Sequence, residues 1–435
     1  MTTLLILAAT ARCVSIFCRT NGRRNNMSKR IFVCFLVVVL LPAFMPTLLL
    51  AGEQSVDQLL RRIEQLEKRV AELEATPATA LAQPQEEQAA AVEQPVTFLE
   101  GLEIGGFVDM AYGYNFNNPD TRKAGNALRV FDIDHNSFSF DLLELYVERP
   151  IENPGEAGFR FDLNFGQIAD LIDLDPDFGD SSDDFDVQQA YVTYRAPIGN
   201  GLDVAFGKFV THHGAEVIES KDNPNYSRSF LFGFAIPFTH TGVRFTYPFS
   251  DKISYTQHIV NGWDNVVDNN DSKSLGGQLA ITPTEAFVFY LNWMYGPEQT
   301  NNEGDKRGVI DLVSTYQATD KLKCIFNYDY GSEEDIALDG GDAHWQGFAG
   351  ILDYDLSEKV GVALRGEWFN DDGGSRTGTD QDLYEITLAG EYHWTDHLMT
   401  RLEYRHDWSS KHSFLDDDGT DDEQDTLFMN VVYEF

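Results

Sequence analysis

The stretch Lys321-Leu322-Lys323-Cys324-Ile325-Phe326-Asn327-Tyr328-Asp329-Tyr330 alternates two chemistries. Successive side chains of an extended chain point to opposite faces, so Leu322, Cys324, Phe326, Tyr328 and Tyr330 share one face while Lys323, Asn327 and Asp329 share the other. Two later stretches repeat the pattern. Val360, Val362, Leu364 and Trp368 oppose Arg365 and Glu367, and Leu398, Leu402 and Tyr404 oppose Arg401, Glu403, Arg405 and Asp407. The punctuation between such runs narrows the reading. Short turns at Pro248-Phe249-Ser250-Asp251, Thr282-Pro283-Thr284-Glu285, Ala318-Thr319-Asp320, Leu356-Ser357-Glu358 and Trp394-Thr395-Asp396 alternate with long stretches rich in Asp, Asn and Gly. Alternating runs of roughly ten residues, with short turns at one end and long loops at the other, are what a transmembrane antiparallel β-barrel requires.

Counting these runs from residue 98 to residue 435 predicts about sixteen strands, an even number as in bacterial single-chain barrels. The third is expected at 156–168. A charge at the bilayer midplane costs several kcal/mol, so the charged faces must look inward. That assigns Arg244, Lys323, Arg365, Glu367, Arg401, Glu403 and Arg405 to a wet lumen wall. A soluble β-sandwich or propeller also alternates, but its inner face would be apolar and its connections would not divide so regularly.

The composition agrees with this reading. A hydrophobic fraction of 43% looks soluble, yet only every second barrel residue meets lipid. The 31 Phe and 18 Tyr can supply aromatic girdles at both membrane interfaces. A formal net charge of -38 excludes nucleic acid as a partner, because phosphates would be repelled. No disulfide framework is expected, because Cys324 alone follows the predicted export signal.

Upstream of the barrel, Met27-Ser28-Lys29-Arg30 and the apolar run Ile31 to Leu50 have the basic head and core of a secretory signal, with Ala51 as cleavage residue. Residues 1–51 are therefore expected to be an over-extended start plus signal peptide, with Met27 as initiator. Residues 52–75 carry Leu59, Ile63, Leu66, Val70 and Leu73 at spacings of four and three, a short α-helical coiled coil suited to assembling a homotrimer. Residues 76–97, rich in Ala, Gln, Glu and Pro, are expected to be a flexible linker, and 98–435 the barrel.

Among the long loops the third, roughly 212–237, mixes charge with Val217, Ile218, Phe230 and Phe232. Apolar residues in a loop need a surface, and the inner barrel wall is the nearest one. The loop is expected to fold inward as a pore constriction presenting Glu216, Glu219, Lys221, Asp222 and Arg228 to solutes. Asp170, Asp173, Asp175, Asp177, Asp180, Asp183, Asp184 and Asp186, and a second acidic run from Asp416 to Asp425, lack calcium-loop spacing, so cations such as Ca²⁺ would be held loosely there.

His212-His213 beside Glu216 invites a metal reading, but the spacing needs a helical turn and names no third ligand. No catalytic, metal or cofactor site is assigned, and neither a nucleophile elbow nor a zinc-protease motif is present. The chain is not expected to be an enzyme.

Gly214-Ala215-Glu216-Val217-Ile218-Glu219, Asn223-Pro224-Asn225-Tyr226-Ser227-Arg228-Ser229, Pro237-Phe238-Thr239-His240-Thr241-Gly242-Val243-Arg244 and Val260-Asn261-Gly262-Trp263-Asp264-Asn265 together resemble the OmpL-like β-barrel porin family. The resemblance covers roughly 98–435. It implies an outer-membrane porin passing small hydrophilic solutes or ions. Leu427, Met429, Val431, Tyr433 and the terminal Phe435 look like an assembly signal, which implies recognition by the barrel-assembly machinery. The expectation is a porin in outer-membrane lipid, with passive, cation-preferring diffusion and a periplasmic coiled coil. A sugar- or ion-selective channel, or a non-transport barrel acting as adhesin or enzyme, is the alternative.

Overall fold

The computed structural model describes residues 101–172 and 184–435. The predicted signal peptide, coiled coil and linker lie outside the described residues, as do Asp173, Asp175, Asp177, Asp180 and Asp183.

Sixteen strands close into one antiparallel barrel in which every chain neighbour is also a sheet neighbour. They are β1 (Glu103–Asn115), β2 (Ser137–Arg149), β3 (Ala157–Phe165), β4 (Phe185–Ala196), β5 (Leu202–Val210), β6 (Thr239–Ser250), β7 (Ile253–Val260) and β8 (Ser274–Thr284). The second half holds β9 (Phe287–Gln299), β10 (Asn302–Thr319), β11 (Leu322–Glu333), β12 (Ala343–Ser357), β13 (Val360–Asp372), β14 (Gln381–Thr395) and β15 (Leu398–Ser409). A two-residue hairpin in the last loop, β16 (Phe414–Leu415) with β17 (Thr420–Asp421), precedes the closing strand β18 (Glu423–Glu434). That strand pairs with β15 on one side and β1 on the other. Gly106 and Phe435 exchange backbone hydrogen bonds of 3.1 and 2.9 Å at the seam. The predicted strand number and fold class hold.

The third strand is shorter than predicted. It ends at Phe165, and 167–172 form a short helix, α1 (Gln167–Ile172). Gly166 turns the chain with φ of +114°, and its Cβ position lies 2.8–2.9 Å from the carbonyls of Asp141 and Phe140, so only glycine fits. Beyond it, Ile168, Ala169 and Ile172 are buried on one helical side, which sequence alternation alone reads as strand.

The outer surface is apolar. Phe138, Val192, Phe206, Phe326, Leu352, Leu388, Leu402 and Met429 are all exposed, as lipid-facing positions must be. Cys324 pairs in register with Leu352 and with a further outward residue, Tyr316. Facing the other way, Asp109, Asp311, Asp329, Arg365, Glu367, Glu385, Arg401, Glu403 and Arg405 are buried.

The interior corrects the expectation of a uniformly wet lumen. A buried apolar cluster joins Phe131 of the first long loop, Phe230, Leu231, Phe232, Ile236 and Phe238 of the third and Trp263 of the fourth to the wall residues Trp345, Phe369 and Leu383. Loops that fold inside a barrel bring their own core with them, because their apolar side chains need partners once the chain has left bulk water.

Candidate functional site

The third long connection, 211–238, enters the lumen directly from the end of β5 and leaves into β6. A chain segment inside a barrel loses the water that would satisfy its backbone, so each buried N–H and C=O needs a protein partner. The inward faces supply both kinds. Wall acceptors take the N–H groups: Asp311 from Gly214 (2.6 Å), Asn327 from Ala215 (3.1 Å), Glu403 from Tyr226 (2.7 Å) and Ser227 (2.9 Å), and Glu367 from Phe230 (2.7 Å) and Leu231 (2.5 Å). Wall donors serve the carbonyls. Arg401 donates to Ser220 (3.1 Å) and Asn223 (2.9 Å), Arg365 to Ser227 (2.5 Å), Arg405 to Arg228 (2.6 Å) and the Trp345 indole to Ala235 (3.0 Å).

Around these bonds runs a buried ionic network. Arg365 bridges Glu216 and Glu385 at 2.7 Å each, Arg405 pairs with Asp407 at 2.7 Å, and Arg129 of the first loop reaches the same Asp407 at 2.6 Å. Ser220 donates to Asp109, and Tyr226 donates to Asp141 at 2.7 Å, tying the loop across to β1 and β2. The loop is thus held to opposite sides of the barrel.

The sequence-predicted residues separate into two groups. Glu216 and Arg228 are buried, which corrects the expectation that they meet passing solutes. Glu216 accepts from Arg365 and from the Ser229 hydroxyl, while Arg228 donates to the carbonyls of Tyr226 and Ile218 and lies 4.7 Å over the Phe131 ring. They shape the loop because an unpaired charge at these positions would be costly. Glu219 accepts from Gln188 at 2.7 Å, and burial pushes its carboxyl above the ordinary range. Lys221 and Asp222 form the accessible tip, paired at 2.9 Å, with Lys221 also 3.5 Å from Glu434.

On the wall, Arg365, Glu367, Arg401, Glu403 and Arg405 face inward but are covered by the loop, which corrects their assignment to a wetted surface. Their charge serves the loop backbone. Lys323 pairs with Asp353 at 2.8 Å and stays partly exposed. Arg244 stacks 4.9 Å over Phe209 and 5.3 Å over Tyr191 and lines a cavity of about 230 Å³ with Thr193, Asp203, His212, Thr246 and Gln278. Water-accessible charge continues along β2 to β5 in the pairs Arg160–Glu148 (2.9 Å) and Arg195–Asp203 (2.6 Å).

Sequence reasoning missed Tyr226, Arg129 and the inward acids Asp109, Asp311 and Glu385. The acids were legible as inward by alternation; that Asp311 would accept a loop N–H, Asp109 the Ser220 hydroxyl and Glu385 the Arg365 guanidinium was not. Arg376 of the seventh loop was also missed. It donates to the Phe234 carbonyl at 2.6 Å and stacks 5.1 Å from both Trp263 and Trp345, while burial draws its guanidinium down to about 10.

A closed, even-stranded barrel with an apolar exterior and its third long loop folded into the lumen defines an outer-membrane channel. The chain belongs to the family described as "Putative beta-barrel porin-2, OmpL-like", whose model matches residues 101–435. Solved structures share the fold at low identity. The anion-selective porin from Comamonas acidovorans aligns with a TM-score of 0.55 at 12% identity over 77% of this chain and 99% of that one. The outer membrane channel DcaP of Acinetobacter baumannii gives 0.53 at 13%, over 77% and 97%. The trimer form of OmpT from Vibrio cholerae gives 0.52 at 12%, over 77% and 99%. No curated protein matches the chain in sequence.

Proposed function

We propose that this porin passes small hydrophilic solutes or ions passively through a narrow route between the Lys221–Asp222 tip and the charged wall of β2 to β5. The observation that carries this reading is the fixed inward loop, whose accessible charge is confined to its tip. So much of the extracellular half is filled by buried side chains that the geometry favours a solute-selective channel over a wide diffusion pore. Cation preference follows from the net charge of -38 and the acidic last loop, which concentrate cations at the mouth. The Comamonas porin is titled anion-selective, and fold likeness at 12% identity does not carry that preference across.

A homotrimer assembled with the help of residues 52–75, exported by a cleaved signal and inserted through the Leu427–Phe435 face, completes the proposal. The trimer form titled for the Vibrio protein supports the assembly. Planar-bilayer recording under a salt gradient tests the channel. Openings in triplets with a cation-selective reversal potential, shifted toward anions by Asp222→Asn, are expected. Silence from a heat-modifiable, folded barrel would overturn it.

A further inference from the structure

Four imidazoles converge at the root of the inward loop. The ring centroids of His212 and His213 lie 4.3 Å apart, those of His212 and His258 4.1 Å, and those of His240 and His258 6.0 Å. Two come from the loop itself, one from β6 and one from β7. His213, His240 and His258 are almost fully buried, at 2%, 1% and 1% exposure. One ring nitrogen from each of His212, His213 and His240 falls within 4.8 Å of the others.

Their outer hydrogen bonds fix which nitrogens are free. His212 Nε2 bonds the Gly277 carbonyl at 3.1 Å, so it carries the proton and leaves Nδ1 as a lone pair without a partner. His240 Nδ1 likewise meets the Gly262 carbonyl at 3.3 Å, leaving Nε2 as acceptor beside the Thr211 hydroxyl. His213 Nδ1 bonds that same hydroxyl at 3.1 Å, and its Nε2 is unpartnered, as are both nitrogens of His258. An imidazole whose far N–H is held by a backbone carbonyl is the arrangement that presents a ligating nitrogen to a metal.

We propose that His212, His213 and His240 form a binding site for one borderline transition-metal dication such as Zn²⁺, Cu²⁺ or Ni²⁺, with His258 as a fourth imidazole in reach. An all-nitrogen donor set selects these ions over Ca²⁺ or Mg²⁺, which take oxygen ligands. Zn–N bonds of about 2.0–2.1 Å put tetrahedral nitrogens about 3.4 Å apart, so closure needs side-chain shifts on the order of 1 Å. Glu216, the sequence neighbour that first suggested a metal, is not a ligand, because it pairs with Arg365. Arg244, lining the same cavity as His212 and His258, faces the site as a positive charge. It would oppose the ion and favour an anion on an open coordination position. The ion would fasten the start of the loop to β6, and this inference does not depend on what the channel passes.

The test is titration of the untagged full chain, folded in detergent, with Cu²⁺ in excess Ca²⁺ and Mg²⁺ to occupy the acidic last loop. One Cu²⁺ per chain is expected, with paramagnetic-resonance splitting from several imidazole nitrogens. His213→Ala should lower the number of coupled nitrogens and weaken the binding. Saturating Zn²⁺ should raise the thermal midpoint of the wild-type chain and not of His213→Ala. A wild-type spectrum without nitrogen splitting overturns the site, and so does splitting that is unchanged in His213→Ala but lost in His412→Ala.

Discussion

Replacing Glu367 with glutamine isolates how the inward loop is held. Both carboxylate oxygens of Glu367 accept a loop N–H, one from Phe230 at 2.7 Å and one from Leu231 at 2.5 Å, and the residue is buried. A hydrogen bond to a charged acceptor is worth about 1.5–3 kcal/mol and a neutral one about 0.5–1.5. Glutamine keeps one acceptor and turns an NH₂ toward the other donor, so one bond is lost and the other weakened, a cost of about 2–4 kcal/mol. At tenfold per 1.4 kcal/mol, the population with this segment released rises about 30- to 700-fold. The barrel strands keep their own ladder bonds, so heat-modifiability should be unchanged. Single-channel recording should show larger or noisier conductance, and proteoliposomes should swell with sugars that the parent excludes. Wild-type conductance and sugar cut-off in a folded Glu367→Gln channel would refute the claim that wall carboxylates pin this loop. Glu367→Asp, which keeps the charge but is shorter, should fall between the two.

Three further outcomes follow from named contacts. Burial raises the Glu219 carboxyl, so its contribution to stability is full below the ordinary glutamate value of 4.5 and is lost as pH rises through the higher folded value; Glu219→Gln should flatten that part of the fall in thermal midpoint above pH 4.5. Arg376→Ala removes a bond to the Phe234 carbonyl and stacking on Trp263 and Trp345. At about 0.5–2 kcal/mol per stacked ring, it should loosen that cluster and shift tryptophan emission to the red, whereas unshifted emission would show that the cluster stands without it. Gly106→Val would place a Cβ 2.3 Å from the Glu144 carbonyl and 2.9 Å from the Phe435 ring; the β1–β18 seam should then fail to close, read as loss of the heat-modifiable band.

How far the sequence could be read depends on the range of the interaction. Strand number, order and facing rest on period-2 alternation and on turns, both local, so the sequence alone sets Leu364 and Arg365 on opposite faces. The third strand was overrun by three residues because Gly166 decides its end by a close approach to β2, which lies far away in sequence. The site was legible only by half. Apolar residues in the 211–238 loop signalled folding inward, but Glu216 and Arg228 were read as solute-facing because charge in a loop normally meets water. Their burial depends on Arg365, on β13, and on Phe131, in the first loop.

The same difference in range governs the inward charges themselves. In an open pore, wall arginines and glutamates would be hydrated and free to sort ions. Here Arg401 and Arg405 donate to carbonyls of the loop while Glu403 and Glu367 accept its N–H groups, so donors and acceptors alternate along a chain segment that has no strand partner. The wall therefore acts on the loop as a neighbouring strand would, with side chains replacing ladder bonds. On the proposed function, selectivity would be set by the few charges this arrangement leaves wet, chiefly Lys221, Asp222, Arg160, Glu148 and Arg244. Substituting those should change which ions pass while leaving stability nearly untouched, whereas substituting the covered set should do the reverse first and alter permeation only by releasing the loop.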